Sequence, residues 1–433
     1  MVTYYTAERV YYSGKFQNRA YLGVENGEIV SISFGEPPGG SRIVDFGALA
    51  IFPSAVNTHT HSFQSVLRGQ VDDVGLSEWL RIVYSASANF DVEASYLSGA
   101  MSFGEMLRSG TTTVADFFYL NGRGNDNARG VIQAAKDLGI RIVMARTFLD
   151  AEWGGEATRE TVETAVKRFQ ELRAEFKDNP MVRVHPAPHS LYGASREMIR
   201  VAHELAKEHK TLWHMHLADS ERSAKGVLEK FGKSSAILLN EWGVLSSRLI
   251  AVHGMWLSEE EIHLLAQNYC RISYNPASNM ILGEKILDLS KFYGRGIPVG
   301  LGTDGAASNN ALNMFRDVHL ASLSQKLNAR NPQAITVDQL VRLMTEDGAK
   351  ILDMPVGVLD VGRRADFVVL DILDFSLQPV ATLKSNIVHA LSDRAIKHVY
   401  CDGREVVKDG HLSLVDEREL LQKIAKFASK IST

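Results

Sequence analysis

Two histidines one residue apart, His59 and His61, close an apolar run in PSAVNTHTHSFQ, residues 53–64. Residues two apart on a strand point to the same side. If Leu49 to Val56 is a buried strand, both imidazoles aim at one point just past its end. Two neutral imidazoles that converge suit a divalent metal of the zinc or iron type. A pair of histidines in a surface turn has the same spacing, so His-x-His alone decides nothing.

Later segments repeat the arrangement. PAPHSLYG places His189 at the end of a β-rich run, and HMHLADS places His214, His216 and Asp219 at another. AVHG ends on His253, and GLGTDGAASNN carries Asp304. The elements that must hold these residues alternate in type. DVEASYLSGAMSFGEMLRSG has helical spacing and TTTVADFF is strand-like. The helix-then-strand pattern continues through IRIVMARTF, MVRVHPAPH, TLWHMHLAD, LIAVHG, RISYNP and IPVGLGTD. Ser258 and Glu261 have the spacing of a capping box. Counted from the His59 strand, eight strands are each followed by helical sequence. This is the arithmetic of a (β/α)8 TIM barrel, whose active sites lie at the C-terminal strand ends. Five strands deliver His or Asp to that face.

Outside the barrel the pattern is different. Residues 1 to about 50 alternate short β runs with turn signals, including the hairpin dipeptide Asn26-Gly27. From Gly362 onward RRADFVVLD and AIKHVYCDGREVV again read as β. The simplest organisation is a small discontinuous β-sandwich domain, 1–52 plus 358–433, flanking a hydrolase barrel at 53–357. The net charge of −4 favours neither nucleic acid nor an anionic membrane. No apolar run reaches spanning length, and the first residues do not read as a signal peptide. Two cysteines, Cys270 and Cys401, have no metal or redox spacing, which fits a cytoplasmic protein.

Taken together, NTHTH, EWL at 78–80, SGTTTVAD, HSLY, HLAD, VHG, NPASNMILG, GTDGAASNN and ADFVVLD resemble the amidohydrolase superfamily, in its metal-dependent deaminase branch. The stretch from Gly302 to His411 is most similar to S-adenosylhomocysteine and methylthioadenosine deaminases. The resemblance implies one divalent metal, zinc first and ferrous iron second, held by His59, His61, His216 and Asp304. Such a metal lowers the pKa of water from about 15.7 to about 7 and gives hydroxide at neutral pH. It further implies that Asp304 takes the water's proton, Asp219 protonates the ring nitrogen, and His253 steadies the tetrahedral adduct. His189 contacts the substrate. MVRVHPAPH has no lysine that could be carboxylated to bridge two metals. The implied reaction is hydrolytic deamination of an amino-substituted N-heterocycle, most simply an adenosine-type nucleoside, with release of ammonia. The partner is then a small heterocyclic substrate, and family analogy implies a homo-oligomer.

Five positions bear on substrate choice. The acid after the HxH of the fifth strand is usually Glu in this family and is Asp219 here, one methylene shorter. Tyr274 replaces a frequent His. Gln64 resembles a base-contacting residue of guanine and 8-oxoguanine deaminases, and an amide suits a ring edge bearing carbonyl and N–H. Glu78 and Arg146 match positions that contact the ribose and remote group of adenosine-type substrates. Glu78 also reads as the acidic first turn of a helix. Guanine- or pterin-type deamination, s-triazine hydrolysis, formimino hydrolysis and a non-catalytic binding protein are the alternatives. His214, His185, His203, His209 and His263 read as packing, second-layer or surface residues.

Overall fold

The computed structural model describes residues 1–431. Eight strands alternate with helices: Ala55–Thr60, Thr111–Phe118, Arg141–Phe148, Val182–Pro188, Trp213–Leu217, Leu249–His253, Arg271–Tyr274 and Val299–Leu301. They form two four-stranded sheets, each in sequence order, and every pairing is parallel. Nearly every residue of these strands is buried, which explains runs without alternation: helices cover one face and side chains fill the other. The two sheets meet at the C-terminal ends of their edge strands. His216 N donates to His189 O at 3.1 Å, and Asp304 N donates to His59 O at 3.0 Å.

Local signals set the helix limits. Asp91 caps Val92–Arg108 by accepting from Ala94 N. Gly139, at φ +80°, ends Asp126–Leu138 in the left-handed conformation that glycine adopts without steric cost. The capping box of Ser258 and Glu261 is formed at the start of Glu259–Gln267. In Arg196–Glu208, Met198, Ala202 and Leu205 are buried and Val201 partly so.

The apolar run Leu49–Val56 is not one strand. It breaks at Ser54 into Leu49–Pro53 and Ala55–Thr60, which belong to different sheets. Pro53 has no N–H to continue a ladder. Ser54 turns away, its N–H reaching Asp366 O and its hydroxyl Thr112.

Leu49–Pro53 joins a seven-stranded sheet that mixes both ends of the chain, pairing antiparallel with Phe367–Asp371. A separate four-stranded sheet holds Thr3–Thr6, Tyr21–Glu25, Glu28–Ser33 and Arg42–Asp45. Tyr5, Leu22, Ile29, Ile51, Phe367 and Val369 pack in one apolar cluster shared by the two sheets. Asn26 (φ +51°) and Gly27 (φ +76°) form the tight hairpin turn. The C-terminal stretch is not β throughout, because Leu383–His389 and Glu417–Ala428 are helices. The last helix meets Val92–Arg108 through Glu417 on Arg108, and its Phe427 packs on Phe90 just before that helix. No helix among the described residues is long and apolar enough to cross a membrane.

Arg141, at the start of a parallel strand, fastens the two parts together. Its buried guanidinium pairs with Asp366, which is fully buried, and with Asp402 at 2.9 Å. Removing one member of a buried ion pair leaves a charge without compensation. Arg141→Ala is expected to lower stability by about 3–5 kcal/mol, read as a fall in the urea midpoint. An unchanged midpoint would mean the pair is not a fastening.

Candidate metal and active site

At the C-terminal strand ends five side chains meet. His59, His216 and His253 form one cluster and His59, His61 and Asp304 another, with candidate ligand atoms within 4.8 Å of each other in each. All five residues are buried. Asp304 Oδ1 lies 3.3 Å from His61 Nε2 and 3.6 Å from His59 Nε2, and Oδ2 lies 3.8 Å from His253 Nε2. The His216 ring is 5.1 Å from that of His59 and 5.4 Å from that of His61.

A second layer fixes which nitrogen of each ring is free. His61 Nδ1 contacts Phe117 O at 2.7 Å, and His216 Nδ1 contacts His189 O at 2.9 Å. A carbonyl only accepts, so both rings carry their proton on Nδ1 and turn the Nε2 lone pair inward. His253 Nδ1 is 3.2 Å from Asn279 Oδ1. Ser278 donates to Asp304 Oδ2 at 2.6 Å, and Gly305 N donates to Oδ1 at 2.7 Å. The NPASN segment therefore supports His253 and Asp304 from behind. Asp304 (φ +62°) and His253 (φ +74°) both occupy left-handed backbone, which is costly for residues with a Cβ.

Burial lowers the His59 imidazole to about 3, with Asp304 partly opposing. Burial likewise lowers His61 and takes His216 well below the usual range. Burial alone would raise Asp304, but His59, then His61 and His253, hold its carboxyl well below its ordinary value. The site thus presents neutral imidazoles to a carboxylate. His61 Nε2 and Asp304 Oδ1 face each other as two acceptors, and neither ring nitrogen of His59 has a hydrogen-bond partner. A cation among them would satisfy His59 Nε2, His61 Nε2 and Asp304 Oδ1 together, so the donor set fits a divalent metal.

The cavity beside this cluster has aromatic walls. Trp79, Tyr84, Tyr119 and Tyr192 line it with His189, Asp219 and Ser308. Tyr119 OH reaches His61 Nε2 at 3.2 Å, and its ring is 4.9 Å from that of His189. Tyr84 OH is 3.4 Å from His189 Nε2. Asp219 lies in the cavity wall with both carboxylate oxygens engaged. Tyr192 OH donates to Oδ2 at 2.9 Å, and Ser223 donates to Oδ1. Ala218 just before it is left-handed at φ +48°, which turns the chain there. Sequence reasoning missed the aromatic walls, Ser278 and Asn279. Tyr119 and Tyr192 each lie close behind a strand end, but nothing in their spacing says which way they face.

Three of the residues proposed for substrate contact lie elsewhere. Glu78 is on the Leu76–Ser87 helix, its side chain about half exposed, with both oxygens on Arg81. One residue further, Trp79 faces the cavity, because neighbours on a helix are about 100° apart. Arg146 is fully buried on the outer side of its strand, bidentate to Glu160 at 2.8 Å and bonded to Asn125. Its charge is already matched and cannot serve a remote substrate group. Gln64 is buried in the turn Ser62–Leu67, and a Cβ at Gly305 would collide with its amide oxygen. Its amide lacks partners at both ends but does not line the cavity. Tyr274 points away to Ser324 at 3.1 Å. His214 lies deeper than His216, with Nε2 3.1 Å from His185 Nδ1.

The chain belongs to the amidohydrolase family, whose model matches residues 50–406. It is 31% identical over 96% of its length to a 5'-deoxyadenosine deaminase of Methanothermobacter thermautotrophicus, covering 95% of that protein. It is 32% identical over 90% of its length to a 5-methylthioadenosine/S-adenosylhomocysteine deaminase of Syntrophus aciditrophicus, covering 87%. Among solved structures, a zinc-bound adenosine deaminase of Xanthomonas campestris superposes with a TM-score of 0.90 at 25% identity, over 99% of this chain and 98% of that one. An atrazine chlorohydrolase from Arthrobacter aurescens shares the fold, with a TM-score of 0.90 at 24% identity and full coverage of both chains.

Asp304→Asn replaces an acceptor with an NH2 group that must face the Gly305 N–H, the Ser278 hydroxyl or the imidazoles. The variant is expected to lose bound metal, measured by mass spectrometry of the purified protein. Metal retained at the parent's level would remove Asp304 from the ligand set.

Proposed function

We propose that this protein is a hydrolytic deaminase that removes the exocyclic amine of a nitrogen heterocycle, using one divalent ion of the zinc class held by His59, His61, His216 and Asp304. The observation that carries this reading is the meeting, over one aromatic-walled cavity, of that donor set with a second carboxyl, Asp219. When bound, such an ion supplies an acidified water, with a pKa near 7 in place of about 15.7.

The chain's own groups account for the remaining proton movements. Overall, R–NH2 and water give the keto product and ammonia. Asp304 accepts a proton from the water and returns it to the departing amine. Asp219 protonates the ring nitrogen as aromaticity is lost and takes up the adduct's hydroxyl proton as the carbonyl forms. Tyr192 and Ser223 hold this shorter acid in place, so that it need not reach as a glutamate would. His253, with Nδ1 engaged by Asn279, turns Nε2 toward the same point and steadies the oxygen that adds. Tyr84, Tyr119 and Trp79 offer flat faces to a heteroaromatic ring and keep bulk water out.

Adenosine-type nucleosides are the leading substrates, supported by relatives named as deoxyadenosine and methylthioadenosine/S-adenosylhomocysteine deaminases. One observation favours a base without a sugar, such as a guanine-type purine, a pterin or an s-triazine: neither Glu78 nor Arg146 reaches the cavity. In the same reading, the two parallel sheets are halves of one closed (β/α)8 barrel over 53–357. The hydrogen bonds His216 N to His189 O and Asp304 N to His59 O support that closure. The apolar cluster shared by the terminal sheets supports a β-sandwich built from 1–52 and 358–433.

The zinc-loaded protein is expected to release ammonia from an adenosine derivative in a panel of nucleosides, purines, pterins and triazines. Silence across that panel at full metal content would reject the proposal. Asp219→Ala should keep its metal and lose about 10²-fold or more in kcat/KM, the typical weight of an acid–base group. Tyr192→Phe should shift the pH profile of kcat/KM while leaving metal content unchanged, as loss of a hydroxyl that holds Asp219 requires.

A further inference from the structure

At the opposite end of the parallel strands lies a second concavity of about 320 Å³, which the proposed reaction does not use. Two helix ends and two strand starts build it. Arg173 and Lys177 come from the end of Val162–Phe176 and the residue after it, Arg183 from the start of Val182–Pro188, and Lys210 from the turn after Arg196–Glu208. Among the described residues, none of these four cations has a carboxylate within ion-pair distance. Arg173 donates to His209 O at 3.2 Å, and Arg183 donates to Asp353 O at 2.9 Å, both backbone carbonyls. The one carboxylate in the lining, Asp353, is held by Arg271 at 2.9 Å. Glu208 stands outside the lining, 3.8 Å from His209 Nε2. The cations elsewhere on this chain are commonly paired: Arg129 has two carboxylates, and Arg141 has two.

Single cations at helix C-termini are ordinary, because each helix end carries about half a negative charge. Two helix ends therefore supply about one negative charge in total against four positive ones. Polar atoms in the lining are also unanswered. Arg173 Nε and Thr211 Oγ1 are buried without a hydrogen-bond partner, as is His209 Nε2. A walled, cationic hollow with free donors concentrates anions.

We propose that this hollow is a binding site for a small phosphorylated compound, separate from the metal site. Its volume of about 320 Å³ favours a compact ligand with two or more negative charges over an extended polyanion, which needs a long stripe. Phosphate oxygens suit the donor set, since arginine guanidinium groups bind them in a fork.

The test titrates the metal-loaded protein with inorganic pyrophosphate in a calorimeter at constant ionic strength. The expected result is saturable binding that weakens at least tenfold in the double variant R183Q/K210Q, with metal content and turnover at the parent's level. Both positions are exposed, and Lys177→Gln serves as a second probe if the double variant folds poorly. The proposal would be overturned by no saturable binding, by equal affinity in the variants, which would place pyrophosphate at the metal site, or by equal affinity for citrate, which would remove the phosphate assignment. Variant-sensitive binding of a single-stranded RNA without binding of pyrophosphate would also overturn it. The binding readouts do not depend on the deaminase reading, since binding is measured without substrate; only the turnover control does.

Discussion

In a buried place His61 Nε2 and Asp304 Oδ1 face one another at 3.3 Å, acceptor against acceptor. Two such atoms repel unless something positive lies between them, and much of the architecture can be understood as holding them there. Hydrogen bonds from behind fix each ring, through Phe117 O for His61 and His189 O for His216. Ser278 and Gly305 N fix the carboxylate. The backbone adopts left-handed angles at Asp304 and His253. Such angles cost about 1–3 kcal/mol each and persist only where the surroundings determine them. Here the surroundings are parallel strands buried on both faces, which leave the ligands little room to relax.

The same frame accounts for the second carboxyl. An aspartate in place of a longer acid is a handicap only if its position is left to chance. Tyr192 and Ser223 occupy both oxygens of Asp219, and the turn at Ala218 re-aims the chain just before it. A short side chain held at two points has less rotamer freedom to lose than a long one held at none. Tyr192 also lines the cavity, so the residue that positions the acid is part of the wall a substrate meets. The aromatic box and Asp219 are thereby coupled, and a change in ring size at the wall would be felt at this carboxyl.

The two ends of the parallel strands have opposite characters. The C-terminal ends gather lone pairs around a place for a cation. The N-terminal ends gather cations around a hollow with one engaged carboxylate. Between them runs a buried layer with His185 and His214 in contact. The Arg141 pair with Asp366 and Asp402 also lies at a strand start, and there the charge is matched by the terminal sheet. Unmatched cations a short way round the same rim are therefore a property of that hollow, not of strand starts in general.

Much of the candidate site was legible in the chain. His59, His61, His216, His253 and Asp304 sit at ends of apolar runs, and period-two spacing shows which of them share a side. The alternation of strand and helix was legible for the same reason, since burial on both faces writes an unbroken apolar run. Local spacing does not say what stands opposite a residue. Glu78 and Trp79 are adjacent in one helix, and only packing decides that Trp79 enters the cavity while Glu78 turns to Arg81. Arg146 ends a strand as the ligands do, but Glu160 waits on its outer side and takes its charge. The run from Leu49 to Val56 looks continuous, yet its halves find partners about 320 and 60 residues away in two sheets. The sequence by itself determined which side chains could ligate and in what rhythm they recur, because that depends on near neighbours. The tertiary structure alone decided the walls of the cavity, the support of Asp219 and the cationic hollow, because each is made by residues far apart in the chain whose contacts exist only once it has folded.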